Sequence, residues 1–173
     1  MTRHLFVSLS FLASLFFAVS AAPTTGFAFP DCSAPAAPLV DWSRCFLEES
    51  DFSNTDLTGA SLLDTRFQRA NLAGSIFDEA RAQGAKFVAA NLMGTSFKEA
   101  DLRDADMTKA NLEGADLSGA RLRRTRLFRA NLRGANFTGA HFDRTDLLNA
   151  DVSGATWTDG IRVCAEGSIG RCK

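Results

Sequence analysis

Residues 100–120 read ADLRDADMTKANLEGADLSGA, in which alanine, then Asp or Asn, then a large apolar residue returns every five positions. A spacing of five matches neither the 3.6 of a helix nor the 2 of a strand. Within a unit the alanine and the large residue are two apart, so they share one side of a short extended segment. The pattern then resets after five residues rather than four, so the chain must turn a corner in every unit. Turning the same way each time produces a coil, and coils stack through backbone hydrogen bonds about 4.8 Å apart. One unit cannot bury its apolar residue alone, whereas stacked units form a continuous core.

The pattern extends far beyond this stretch. Stepping by five from Leu47 to Trp157 gives 23 units without an insertion, and their centres are 12 Leu, 7 Phe, Met107, Val152, Trp157 and Ala82. Two residues before the centres stand 15 Ala, 5 Thr, 2 Ser and Cys45, a small-residue column suited to the inside of a corner. Residues just before the centres are polar in 21 of the 23 units, the exceptions being Phe46 and Ile76. Tyr is absent while Phe numbers 15, as expected where aromatic rings are wholly inside and no hydroxyl has to be satisfied. Ala82 is the one small centre. Either Phe77 and Phe87 fill its space or a void remains there, and from the sequence Ala82→Leu is expected to be neutral or stabilising.

A second, longer period sets the size of the coil. Gly74, Gly94, Gly114, Gly134 and Gly154 are spaced by 20, as are Asp51, Asn71, Asn91, Asn111, Asn131 and Asp151. A period of 20 is four units, hence a square cross-section. Glycine tolerates positive φ, so this spacing predicts that one of the corners uses a different turn from the others. The Asn column is expected to line up its amides as a structural ladder.

The A(D/N)Lxx motif, repeated from Cys45 to Asp159, resembles the pentapeptide-repeat family over about two-thirds of the chain. The resemblance implies an all-β fold, a right-handed quadrilateral parallel β-helix. With 23 units the rod has just under six coils and a length of roughly 25–28 Å.

The N-terminal residues are a separate object. Arg3, the apolar run Leu5 to Val19 and the small residues Val19-Ser20-Ala21 form the three-part pattern of a cleaved secretory signal. The chain therefore divides into a signal peptide at 1–21, an N-terminal segment and cap at 22–44, the repeat coil at 45–159 and a C-terminal disulfide cap at 160–173. No other apolar stretch is long enough to cross a membrane. In an oxidising compartment the 4 cysteines should pair. Three pairings exist on paper, but if the repeats form a rod only Cys32–Cys45 and Cys164–Cys172 can meet. A zinc site is the alternative use, and the two pairs at opposite ends argue against it. Trp42 and Trp157 are read as closing the two ends of the rod.

Candidate contact residues follow from the square section. Arg103, Arg121, Arg123, Arg124 and Arg144 fall on one side, with Arg126 and Arg129 on the adjacent side. They could bind phosphate, lipid headgroups or an acidic partner. Asp101, Asp104, Asp106, Asp143 and Asp146 are interleaved with them, as on a solvated face of ion pairs. Phe128 and Leu148 share an outward column with Val88 and Thr108, which suggests a partner contact or a homodimer. His141 is the one histidine after the signal and has no Ser or Cys partner; no phosphate-cradling motif appears and no cofactor is implied.

These observations point to a non-enzymatic scaffold, periplasmic or secreted, that binds a protein or an envelope component. The resemblance also offers a DNA mimic that inhibits a topoisomerase. That use wants a strongly acidic cytoplasmic rod, whereas the formal net charge here is −1 and a signal precedes the repeats, so no nucleic-acid contact is expected.

Overall fold

The computed structural model describes residues 30–173, and the signal-peptide reading at 1–21 lies outside the described residues. Twenty parallel bridges run from Asp41↔Ser61 to Asn136↔Thr156, each joining residues 20 apart. The coil therefore has four sides of five residues, and no helix occurs among the described residues.

Each side is held by two kinds of backbone hydrogen bond. The amide of a centre donates to the coil above, as from Leu72 to the Asn91 carbonyl at 2.8 Å. The amide before a centre donates to the coil below, as from Asn91 to the Ala70 carbonyl at 3.0 Å. All centres from Leu57 to Phe137 are fully buried, together with the alanines two residues before them. Where that small residue is Thr or Ser, its hydroxyl is satisfied by a corner carbonyl. Thr65 donates to the Trp42 carbonyl at 2.7 Å and Thr125 to that of Leu102 at 2.7 Å. An inward hydroxyl therefore costs little here, because a corner carbonyl of the coil below, or of its own corner as for Thr55 and Thr95, supplies an acceptor.

The corners differ from expectation. Nearly all of them use the same turn, in which the amide three residues after a centre returns to that centre, as from Ala60 to the Leu57 carbonyl at 3.0 Å; the corners after Leu47, Phe52 and Phe142 lack that hydrogen bond. The third turn residue has positive φ on every side: Asn54 (56°), Gly59 (65°), Asp64 (54°) and Arg69 (59°) form one circuit. A square coil with five-residue sides needs the same bend at each corner, so this position is left-handed whatever residue stands there. The glycine spacing marks the corner where that conformation costs least, not a different turn.

The Asp/Asn before each centre has a local role beside the ladder. Its carboxylate or amide oxygen accepts the amide two residues on, as Asp56 does from Thr58 at 2.9 Å and Asp116 from Ser118 at 3.0 Å. This Asx turn satisfies an amide that the corner leaves facing outward. The expected ladder also forms in part, with Asn91 donating to Asn71 at 3.0 Å and Asn131 to Asn111 at 3.0 Å.

Around Ala82 the interior is occupied by aromatic rings. Phe67 stacks on Phe87 at 5.3 Å from one side and Phe77 on Phe97 at 4.8 Å from the opposite side. The two stacks meet edge to face, with Phe77–Phe87 at 6.1 Å and Phe87–Phe97 at 6.0 Å. The sequence-based expectation for Ala82 is thereby reversed, because rings from the flanking sides fill the space a larger centre would need. Ala82→Leu is expected to destabilise by about 1–3 kcal/mol, measured by chemical denaturation. An unchanged or raised midpoint would mean that the rings leave room.

The coil starts earlier than residue 45. Asp41 already pairs with Ser61, and Trp42 occupies a centre position with 1% exposure. Its indole N–H donates to the Ala34 carbonyl at 3.2 Å, and its ring lies 4.9 Å from Phe52. Cys32–Cys45 ties the entering segment to the first corner. At the other end residues 160–173 fold back antiparallel on the last coil through Thr156↔Val163 and Asp151↔Ile169, closed by Cys164–Cys172. Arg133 holds this segment with hydrogen bonds to both Glu166 oxygens at 2.8 and 2.9 Å.

Candidate interaction surface

The side running through Asp101, Arg121 and His141 carries most of the arginines. Asp101, 6% exposed, is its hub. It accepts Nε and Nη2 of Arg103 at 2.8 and 2.6 Å, with Arg121 at 3.7 Å and the Gln83 amide beside it. Arg124 grips both oxygens of Asp104 on the next corner at 2.6 and 2.7 Å, and Arg123 reaches Asp143 at 3.2 Å. On the adjacent side Arg126 lies 3.3 Å from Asp106. Five of the seven arginines singled out from the sequence are thus engaged by a carboxylate one coil away or on their own side. Arg129 and Arg144 make no ion pair among the described residues; the Arg129 guanidinium lies over the Phe128 ring, 5.1 Å from its centroid.

The pairings act on the carboxyls of Asp101, Asp104 and Asp106. Burial pushes the Asp101 carboxyl up, but hydrogen bonds from Arg103 and Gln83 and the Arg103 charge outweigh it and hold it below the usual range. The same balance, with burial first and Thr108 and Arg126 against it, lowers Asp106, while the Arg124 hydrogen bond leads at Asp104. A carboxyl depressed in the folded state adds stability that is complete above its ordinary value of 3.8 and is lost as pH falls through the folded-state value. Thermal stability is expected to be flat from about pH 7 to pH 5 and to decline below about pH 4. Melting curves across that range check it, and Asp101→Asn should make the decline shallower.

The outward column behaves differently from the arginines. Phe128 is half-buried under Arg129, Val88 is half-buried, and Leu148 is 61% exposed. Phe46, on the same side near the first coil, is 65% exposed with the Arg66 guanidinium 4.3 Å above its ring. Phe46 appears in the sequence as one of two exceptions to the polar column, a signal that already marks it. The structure brings Phe128 and Leu148 onto one side, on adjacent coils, and leaves the main arginine cluster on the neighbouring side.

The sequence-family comparison covers the coil. A pentapeptide repeat region model matches residues 60–137, and a model of pentapeptide repeats in eight copies matches residues 40–69 and 125–156. None of the curated proteins matches the chain. Among solved structures, a pentapeptide repeat protein from the Arabidopsis thaliana thylakoid lumen is 34% identical, covering 61% of this chain and 67% of that one with a TM-score of 0.42. A pentapeptide repeat protein from Nostoc PCC 7120 is 32% identical over 62% of this chain and 78% of that one, with a TM-score of 0.32. QnrB1, a plasmid-mediated fluoroquinolone resistance protein, is 20% identical over 75% of this chain and 76% of that one, with a TM-score of 0.44. With its unbroken five-residue motif, its four-sided stacking and these family-model matches over residues 40–156, the chain belongs to the pentapeptide-repeat family and has that family's right-handed quadrilateral β-helix fold.

Proposed function

We propose that this chain is an exported, non-enzymatic scaffold that binds another protein or an envelope component through the flat sides of its rod. The observation that carries export is a disulfide at each end of the coil, with no free cysteine among the described residues. The three-part N-terminal pattern agrees with it. Binding through the sides is supported by the contrast between columns: inward positions are nearly constant, whereas outward ones vary from coil to coil. The side of Phe46, Phe128 and Leu148 is favoured over the arginine cluster, because most of those arginines are already paired.

Cell fractionation with thiol labelling tests export. The expected result is a protein shortened by about 21 residues, outside the cytoplasm, without labelled thiols. A full-length, thiol-labelled cytoplasmic protein overturns it. For the surface, crosslinking in the native compartment followed by recovery with the double variant Phe128→Ser, Leu148→Ser should lose the adduct that Arg121→Ser, Arg123→Ser, Arg124→Ser retains. The reverse pattern would move the contact to the arginine side. Action as a DNA mimic is disfavoured, since alternating Arg and Asp on these sides do not imitate a phosphate backbone.

A further inference from the structure

The last coil is covered on only two of its four sides. Over residues 150–157 the C-terminal segment supplies partners: Val152 donates to the Ser168 carbonyl at 2.9 Å, Gly154 to Cys164 at 2.8 Å and Trp157 to Arg162 at 2.7 Å. Over residues 140–149 it does not. On the coil beneath, Leu122, Arg124 and Leu127 donate to the carbonyls of His141, Asp143 and Asp146 at 3.0, 2.8 and 2.7 Å. The equivalent amides of Phe142, Arg144 and Leu147 have no acceptor among the described residues. The carbonyls of Ala140 and Thr145 are likewise unmatched, although those of Ala120 and Thr125 below accept from His141 and Asp146 at 2.9 Å. Phe142 and Leu147 are partly exposed, whereas Leu122 and Leu127 beneath them are fully buried. Above these two sides lies a hollow of about 640 Å³ that Trp157 also lines.

We infer that this half-open end is a docking edge for an extended segment of a partner protein, two units long, which continues the coil over residues 140–149. Three features specify the segment. Both backbone donors and acceptors are open along the edge, so the segment pairs by main-chain hydrogen bonds, as in strand addition. The inward positions over Phe142 and Leu147 take apolar residues five apart, with small residues two before them, as in every coil below. Arg144 on the rim, without an ion pair among the described residues, favours an acidic outward residue. Area argues against a second copy at this edge. Two sides of about five residues at ~3.3 Å each and about 5 Å deep offer on the order of 150–200 Å², against about 800 Å² per partner in a standard interface. This inference gives the protein binding proposed above a site and rests on that reading.

The test uses the full disulfide-bonded chain and a synthetic peptide, ANLEGADLSG, which is residues 110–119 of its own repeat. Addition of the peptide is expected to slow hydrogen exchange of the Phe142, Arg144 and Leu147 amides at least tenfold, leaving Val152 and Trp157 unchanged. The same peptide with methylated backbone nitrogens should lose this protection. No slowing at millimolar peptide, or equal slowing by a scrambled peptide, overturns the inference. So does protection of these amides without peptide in a concentration-dependent dimer, which would assign the edge to a second copy. Failure here while side-face crosslinks persist removes this edge alone and leaves the scaffold reading intact.

Discussion

Phe87→Ala is expected to lower the stability of the rod by about 3–5 kcal/mol, the upper range for a buried phenylalanine. Phe87 touches three other rings, stacked on Phe67 at 5.3 Å and edge-on to Phe77 and Phe97 at 6.1 and 6.0 Å. Its loss leaves a cavity beside Ala82, whose methyl group is too short to move in. Regular backbone stacking above and below keeps the walls from collapsing, so little of the cavity is recovered by relaxation. Chemical denaturation compares this variant with Phe142→Ala, whose ring is partly exposed at the open end and whose removal should cost well under half as much. Equal costs would show that the four-ring cluster is no better packed than the end of the rod.

The second large effect concerns the C-terminal segment. Replacing Cys164 and Cys172 by alanine removes a cross-link of separation 8, worth about 2–3 kcal/mol by loop entropy. The Cys32–Cys45 link, of separation 13, falls in the same range. The response should be local before it is global, because each coil contacts only its neighbours. Once the segment loosens, the Val152, Gly154 and Trp157 amides lose their partners and the edge opens on all four sides. Hydrogen exchange at those amides is expected to rise first, with the amides of Phe87 and Phe97 unchanged. A loss spread evenly along the rod, or a stability change below about 0.5 kcal/mol, would show that this segment is not a cap.

Much of this was legible because stacked coils convert a residue's position modulo 20 directly into a place in space. The inward Leu and Phe columns, the four-unit circuit and the sides carrying Arg103, Arg121 and Arg126 follow from counting, and the bridges fall on the same numbers. Spacing alone does not say how far a side chain reaches. At Ala82 the sequence leaves open a void or a filled space until Phe77 and Phe87 are seen to meet across the interior. Arg121 and Arg124 are interleaved with aspartates in the sequence, but that they engage Asp101 and Asp104 on the coil below is seen only in space. Glycine at every twentieth position reads as a special corner, whereas Asp64 and Arg69 take the same left-handed φ at theirs. For Ala82 and the arginines the deciding quantity is a contact between coils or across the interior, which no single unit contains; for the glycines it is the bend that a five-residue side imposes on every corner.

By itself the sequence determined the period, hence the coil, its four sides, the identity of the core and the cysteines that meet at each end. That is so because a repeat of five with one large apolar residue per unit has one way to bury all its centres. Only the tertiary structure decided that the C-terminal segment turns back over sides 150–157 and leaves 140–149 open. The repeat ends at Trp157, and beyond it no period constrains the chain. Its course is set by which edge amides and carbonyls it reaches within the short loop that Cys164–Cys172 closes.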